Sequence, residues 1–196
     1  MTQNQALDLL KLGKNVFLTG PAGSGKTHVL NEYVQCVRES GASVGITAST
    51  GIAATHIGGI TIHSWCGMGV KERLTKADVK ELRRKSYLKK HFNSTKILII
   101  DEVSMLHHFQ LDMIDTICKG FKENDRPFGG VQVVLSGDFF QLPPVSKEGS
   151  ARFVYESAAW KELNIQVCYL KEQYRHEDAD LSSVLMDIRT NNVHED

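Results

Sequence analysis

Gly20-Pro21-Ala22-Gly23-Ser24-Gly25-Lys26-Thr27 is the stretch whose reading decides the fold. It fits G-x-x-x-x-G-K-[ST], a loop whose backbone cradles the phosphates of a nucleoside triphosphate. Asn15-Val16-Phe17-Leu18-Thr19 precedes it as a short buried strand, and Val29, Leu30, Tyr33, Val34 and Val37 follow at helical spacing. A strand, a glycine turn and a helix start are what phosphate binding needs. Glycines let N–H groups converge without Cβ clashes, and the helix start adds unpaired donors and a positive dipole end. In this geometry Lys26 reaches the β- and γ-phosphates of ATP, and the Thr27 hydroxyl ligates Mg²⁺. Gly20, Pro21, Ala22, Gly23, Ser24 and Gly25 form the cradle.

Downstream, Lys96-Ile97-Leu98-Ile99-Ile100 is an apolar, branched run that reads as a buried strand of a parallel sheet. It ends in Asp101-Glu102. Ligands of doubly wound folds lie beyond the carboxyl ends of strands. Asp101 is therefore placed to hold Mg²⁺ and Glu102 to polarise an attacking water. Residues 131–135 form another buried strand, running into Ser136-Gly137-Asp138-Phe139-Phe140-Gln141-Leu142-Pro143-Pro144. Gln141 in that loop is a candidate sensor of the γ-phosphate. Residues 165–170 are a last strand, after which Arg175 is either an arginine finger in cis or a surface salt bridge. Residues 43–48 read as a second strand. Strands alternating with helices give an α/β class with a parallel sheet and helices on both faces.

Other segments leave alternatives open. Residues 49–69 are rich in Gly, Thr and Ser, with His56, His63 and Trp65 interspersed. They offer hydroxyls and N–H groups to a phosphate backbone and an aromatic to a base, or they form an ordinary loop around a core Trp65. Residues 76–92 are helical by propensity. Lys71 to Lys96 carries ten basic residues against three acidic ones, either a footprint for phosphates or a solvated helix face. Met105, Phe109, Met113, Ile117 and Phe121 predict a core helix, and the adjacent His107 and His108 face different ways, which argues against a shared metal. Leu181, Val184, Leu185 and Ile188 predict a final amphipathic helix.

The 196 residues suffice for one domain, and the formal net charge is zero. No apolar run is long enough to cross a bilayer, and the N-terminus lacks a basic region followed by an apolar core. Cys36, Cys66, Cys118 and Cys168 are scattered. A cytoplasmic, reducing compartment (nuclear or mitochondrial in a eukaryote) is the expectation, without secretion.

These residues carry a resemblance. The chain resembles the first motor domain of the Pif-type helicases of superfamily 1B, and more distantly the RecD-like ATPases. The likeness rests on residues 20–27, Thr47-Ala48-Ser49-Thr50-Gly51, Gly58-Gly59-Ile60-Thr61-Ile62-His63-Ser64, Asp101-Glu102-Val103-Ser104-Met105 and residues 137–144. It implies a RecA-like P-loop NTPase fold and an ATP-dependent, 5′-to-3′ DNA helicase activity serving DNA repair, recombination and telomere maintenance. It implies Gln5 as an adenine contact, Lys26, Glu102, Gln141 and Arg175 as catalytic groups, and Thr27 and Asp101 as Mg²⁺ ligands. Ser49, Thr50, Gly51, Thr61, His63, Ser64 and Trp65 become contacts to single-stranded DNA. His107 and His108 depart from the family pattern, which has an acid there. The resemblance also implies two motor domains, of which residues 1–196 are read as one. An isolated chain is then expected to unwind DNA poorly, and a fragment that binds ATP and single-stranded DNA without efficient hydrolysis is the alternative. A small-molecule kinase or nucleotide switch is disfavoured, because nothing marks an acceptor pocket and the loop at residues 137–144 is foreign to those enzymes.

Overall fold

The structure, a computed structural model, describes residues 1–69, 71–146, 151–172 and 187. The chain begins with α1 (Gln3–Lys11), β1 (Val16–Thr19), α2 (Lys26–Glu39), β2 (Ser43–Ala48), α3 (Gly51–His56), β3 (Ile60–Thr61) and α4 (Ile62–Cys66). It continues through α5 (Lys76–Arg84), α6 (Ser86–Ser94), β4 (Thr95–Asp101), α7 (His108–Lys122), β5 (Gln132–Ser136), α8 (Ala158–Glu162) and β6 (Gln166–Tyr169). The six strands form one sheet in the order β3-β2-β4-β5-β1-β6. Every pairing is parallel. This is the RecA-like P-loop NTPase architecture expected from the strand–helix alternation.

Alternation along each strand divides the core. Val16 and Leu18 of β1, Ile97 and Ile99 of β4, and Val134 of β5 pack on one face beneath α1 and α2. Phe17, Leu98, Ile100, Val133 and Leu135 pack on the other face with residues of α4 to α8. Side chains that are buried on both faces explain why these strands read as continuous apolar runs.

Trp65 belongs to this second layer. It is 2% exposed, and its ring meets His91 and Phe92 edge-on at centroid distances of 4.8 and 4.7 Å. The expectation that it stacks on DNA bases is corrected: the indole is spent on the core. Gly45 on β2 makes room for it, since a Cβ there would lie 2.6 Å from the indole Nε1.

Local readings shift in two further places. The basic segment is two helices instead of one, broken at Lys85, whose backbone is extended. Lys71 pairs with Asp78 and Arg83 with Glu123, while Lys76, Lys80, Arg84, Lys89 and Lys90 are exposed. Met105 lies in a separate 3-10 turn, Val103–Met105, ahead of α7. The proposed final helix lies outside the described residues. No helix among the described residues is long and apolar enough to cross a membrane.

Gly45→Ala overfills the contact with Trp65. We expect it to lower stability by about 1–3 kcal/mol, read as a reduced midpoint in urea with an unchanged slope.

Candidate nucleotide and nucleic-acid site

A parallel sheet gathers all its carboxyl ends on one edge. Along that edge the order of strands places the segment after β3 first, then those after β2, β4, β5 and β1. The phosphate loop therefore sits beside the loop carrying Gln141, which sits beside Asp101 and Glu102. The segments containing Ser49 and Thr61 lie farther along the same edge.

The loop leads directly into α2. Gly25 is the N-cap, with φ of 84° and ψ of 22°, a left-handed conformation that a β-carbon disfavours. Lys26 is the first helical residue, and its ammonium donates to the carbonyls of Gly20 at 2.9 Å and Pro21 at 3.1 Å. Lys26, Thr27, Glu102 and Gln141 line one cavity of about 390 Å³, together with Gly23 and Gly25.

Asp101 ends β4 and is 7% exposed. Burial raises its carboxyl above the ordinary value, while the Ser136 hydroxyl and the Lys26 ammonium act the other way. Glu102 departs from the strand into the left-handed region, with φ of 50° and ψ of 43°. A non-glycine residue there stores strain of about 1–3 kcal/mol, a cost that recurs at functional sites. Burial also raises the Glu102 carboxyl, and the negative charges of Asp101 and Asp138 add to the effect, while Lys26 opposes it. A carboxylate raised in this way is a stronger proton acceptor than an ordinary one. The donor set fits Mg²⁺: one hydroxyl, Thr27, and one buried carboxylate, Asp101, leave the other positions to water and phosphate oxygens. Among the described residues no cluster of three or more His, Cys, Asp or Glu offers an all-protein metal cage.

Gln141 is held by Asp138, which is 1% exposed. Asp138 accepts from the Gln141 side-chain amide at 3.2 Å and from the Phe140 N–H at 3.2 Å, and its carbonyl accepts from the Gln141 N–H at 3.0 Å. Phe139 anchors the same loop from below, its ring 5.1 Å from Phe17 and 5.0 Å from Tyr155. The aspartate was passed over in the sequence because an acid at a strand end has many uses. Its burial identifies the use here.

Gln5, the expected adenine contact, lies in the first turn of α1. Gln5 completes a capping box with Thr2: its Oε1 accepts from the Thr2 N–H at 3.0 Å, and its N–H donates to the Thr2 hydroxyl at 3.3 Å. Gln3 is the glutamine that touches the phosphate loop, donating to the Ser24 carbonyl at 3.2 Å. The T-x-x-Q spacing of a capping box was a signal that could have separated the two. Arg175 lies outside the described residues.

On the DNA-facing candidates, Thr50 caps α3 by accepting from the Ala53 N–H at 3.2 Å. Thr61 caps α4, accepting from the Ser64 N–H at 3.3 Å and donating to the Ser64 hydroxyl at 2.9 Å. Gly51 and Ser64 are exposed, and His63 is half-buried. The Ser49 N–H donates to the Asp101 carbonyl at 3.0 Å, which ties this end of the edge to the acids. His63 and Ser64 line an open groove of about 640 Å³ with Lys71, His107 and Gln110.

Raised carboxyl values mean that the folded protein binds these protons more tightly than the unfolded chain. The neutral acids are then favoured in the fold, and their contribution is lost as pH rises through the folded values, above the ordinary carboxylate range. The nucleotide-free, Mg²⁺-free protein should lose stability across that interval. Glu102→Gln, neutral throughout, should flatten this dependence and melt about 1–4 °C higher than wild type at pH 8, checked by thermal scans across pH. A lower melting temperature for that variant would contradict the electrostatic reading.

Comparison with known proteins agrees with this geometry. The family model for PIF1-like helicases matches residues 2–191. An ATP-dependent DNA helicase Pif1 from Psychrobacter sp. (strain PRwf-1) is 52% identical over 98% of the chain and 31% of its own length. The ATP-dependent DNA helicase RRM3 of Saccharomyces cerevisiae is 40% identical over 96% of the chain and 27% of its length. The chain thus spans about a third of the length of these relatives. Among solved structures, the Pif1 helicase of Candida albicans superposes with a TM-score of 0.92 at 38% identity, covering 98% of this chain and 44% of that one. A Bacteroides Pif1 helicase in complex with ADP-AlF3 and ssDNA superposes at 0.86 with 34% identity, covering 98% and 46%. The matched range includes the phosphate loop, the acids of β4 and the loop after β5, and the chain belongs to the PIF1-like helicase family.

Proposed function

We propose that residues 1–196 form the ATP-binding motor domain, the first of two RecA-like domains, of a DNA helicase moving 5′ to 3′ on single-stranded DNA. One observation carries the reading. Lys26, Thr27, Glu102 and Gln141, from three separate strand ends, converge on a single cavity, and the same edge continues into an open groove at His63 and Ser64. The complex of a related helicase with ADP-AlF3 and ssDNA supports both halves of this assignment. The direction of movement rests on the family resemblance.

The chemistry follows from the positions. The loop N–H groups and Lys26 hold the β- and γ-phosphates, and Thr27 and Asp101 hold Mg²⁺. Mg²⁺ when bound neutralises charge on those phosphates. Glu102 accepts a proton from water as the water oxygen bonds to the γ-phosphorus, and the bond to the β–γ bridging oxygen breaks to release ADP. Lys26 and the loop donors stabilise the charge that spreads over the transferred group. Gln141 meets the γ-phosphate and registers its presence. We assign Arg175 as the arginine finger in cis and Gln5 as the adenine contact on the resemblance, with Gln3 bracing the phosphate loop at Ser24.

The test is Mg²⁺-dependent ATP hydrolysis with and without single-stranded DNA. We expect DNA to stimulate turnover, and Lys26→Ala to lower it by about 10²-fold or more. Undiminished turnover in Lys26→Ala would overturn the site. Glu102→Gln should bind nucleotide near wild-type affinity while hydrolysis falls about 10²–10³-fold, and a matching loss of binding would remove Glu102 from the role of base. For the groove, Ser64→Ala combined with His63→Ala should weaken binding of a labelled oligonucleotide without altering nucleotide affinity, measured by fluorescence anisotropy.

A further inference from the structure

We propose that His107 and Gln110, at the start of α7, are positioning residues that couple the γ-phosphate-sensing loop to the nucleic-acid groove. Three hydrogen bonds of equal length join the two sites through them. His107 Nε2 lies 2.9 Å from the Val145 carbonyl. The His107 N–H donates to Gln110 Oε1 at 2.9 Å. Gln110 Nε2 lies 2.9 Å from His63 Nε2. Val145, His107, Gln110 and His63 all line the groove, and Val145 stands four residues after Gln141 of the nucleotide cavity, so the series joins the end of the sensing loop to the groove.

The chemistry of the groups fixes the direction of every bond. A carbonyl can only accept, so His107 Nε2 carries a proton. Gln110 spends its oxygen on the His107 N–H, so its amide nitrogen donates to His63. His63 Nε2 therefore offers a lone pair, and its proton sits on Nδ1. Burial lowers the His63 value and so favours this neutral form.

The connection to the sensor is stiff. Leu142-Pro143-Pro144 separates Gln141 from Val145, and each proline fixes its own φ. Pro144 is buried while its neighbours are exposed, so the segment is anchored in its middle. A displacement of Gln141 reaches the Val145 carbonyl with little slack. The receiving end is braced as well. The His107 backbone bridges to Phe153, the His108 N–H donates to the Arg152 carbonyl at 3.2 Å, and the His107 ring stacks on Phe109 at 5.2 Å and 16°. A shift at Val145 then passes through the His107 ring to the first turn of α7, where the His107 N–H holds Gln110 against His63. A ligand shifts such an element only by binding its two arrangements unequally, so the linkage must appear as a change in one ligand's affinity caused by the other.

The inference rests on the proposed nucleotide and single-stranded DNA sites, and its test separates the two. The dissociation constant of a labelled oligonucleotide is measured with and without a non-hydrolysable ATP analogue and Mg²⁺. The ratio is the coupling. His107→Phe keeps the ring on Phe109 and removes the Nε2 donor. Gln110→Met keeps the side-chain length and removes both of its bonds. In wild type we expect a ratio of about fivefold or more, and in each variant a ratio within about 1.5-fold of unity. Nucleotide affinity without DNA and the far-UV spectrum should stay at wild-type values, which distinguishes lost coupling from a lost fold. A wild-type ratio of unity with both ligands bound, or a ratio that survives in both variants, overturns the inference and leaves the proposed function standing. Failure of wild type to bind either ligand removes the functional reading and the inference with it.

Discussion

Parallel pairing of β4, β5 and β1 is the constraint on which the rest depends. Ile97, Leu98, Ile99 and Ile100 pair in register with residues 132–135, and residues 134–136 pair with residues 16–18. Because each ladder is parallel, Asp101, the loop after Ser136 and the phosphate loop all leave the sheet on the same edge. A register slip of one residue would exchange the side chains of the two buried layers and break the packing of both. The two apolar layers that lock the register thus also lock the positions of the reacting groups. Catalytic geometry here is a consequence of core packing.

The price of this arrangement is visible at Glu102. The strand is straight and buried up to Asp101, and the next residue must turn sharply into the cavity. It does so in a left-handed conformation that glycine would adopt more easily. Glycine has no carboxyl group, so the strained glutamate persists, followed by the 3-10 turn of residues 103–105 and packed near Gly137, where an added Cβ would lie 3.1 Å from the Val103 nitrogen and 3.3 Å from that of Ser104. The same burial that strengthens electrostatic interactions in the cavity raises both carboxyl groups. Apo stability and readiness for catalysis therefore pull against each other at this position.

The edge also places the two proposed sites side by side. The proposed nucleotide groups lie toward its β5–β1 end and the proposed DNA groups toward its β3–β2 end, with β4 between them. The Ser49 N–H bonds to the carbonyl of Asp101, and the start of α7 reaches both Val145 and His63. The first contact joins the neighbouring ends of β2 and β4, and the second joins Val145 to His63 through the first turn of α7. The first is short because parallel strands stand less than 5 Å apart.

By itself the sequence determined the phosphate loop, the acids of β4 and the α/β class. Each is written in contiguous residues: a glycine spacing, a branched apolar run ended by carboxylates, and a period that alternates between strand and helix. Single residues whose role depends on distant neighbours were not legible. Trp65 read either as a base-stacking aromatic or as a core residue, and β2, with Gly45 beneath the indole, and α6 close around it. Gln5 and Gln3 are equivalent in composition, and only the fold shows that one caps a helix while the other meets Ser24. His107 and Gln110 meet Val145 and His63 across the chain, and Asp138, whose partners are local, is set apart by its burial; local periodicity encodes neither. Sequence records what each segment can become, because propensity and phosphate-loop chemistry are local. Tertiary structure decides which segments meet, because burial and hydrogen-bond partners come from the whole chain.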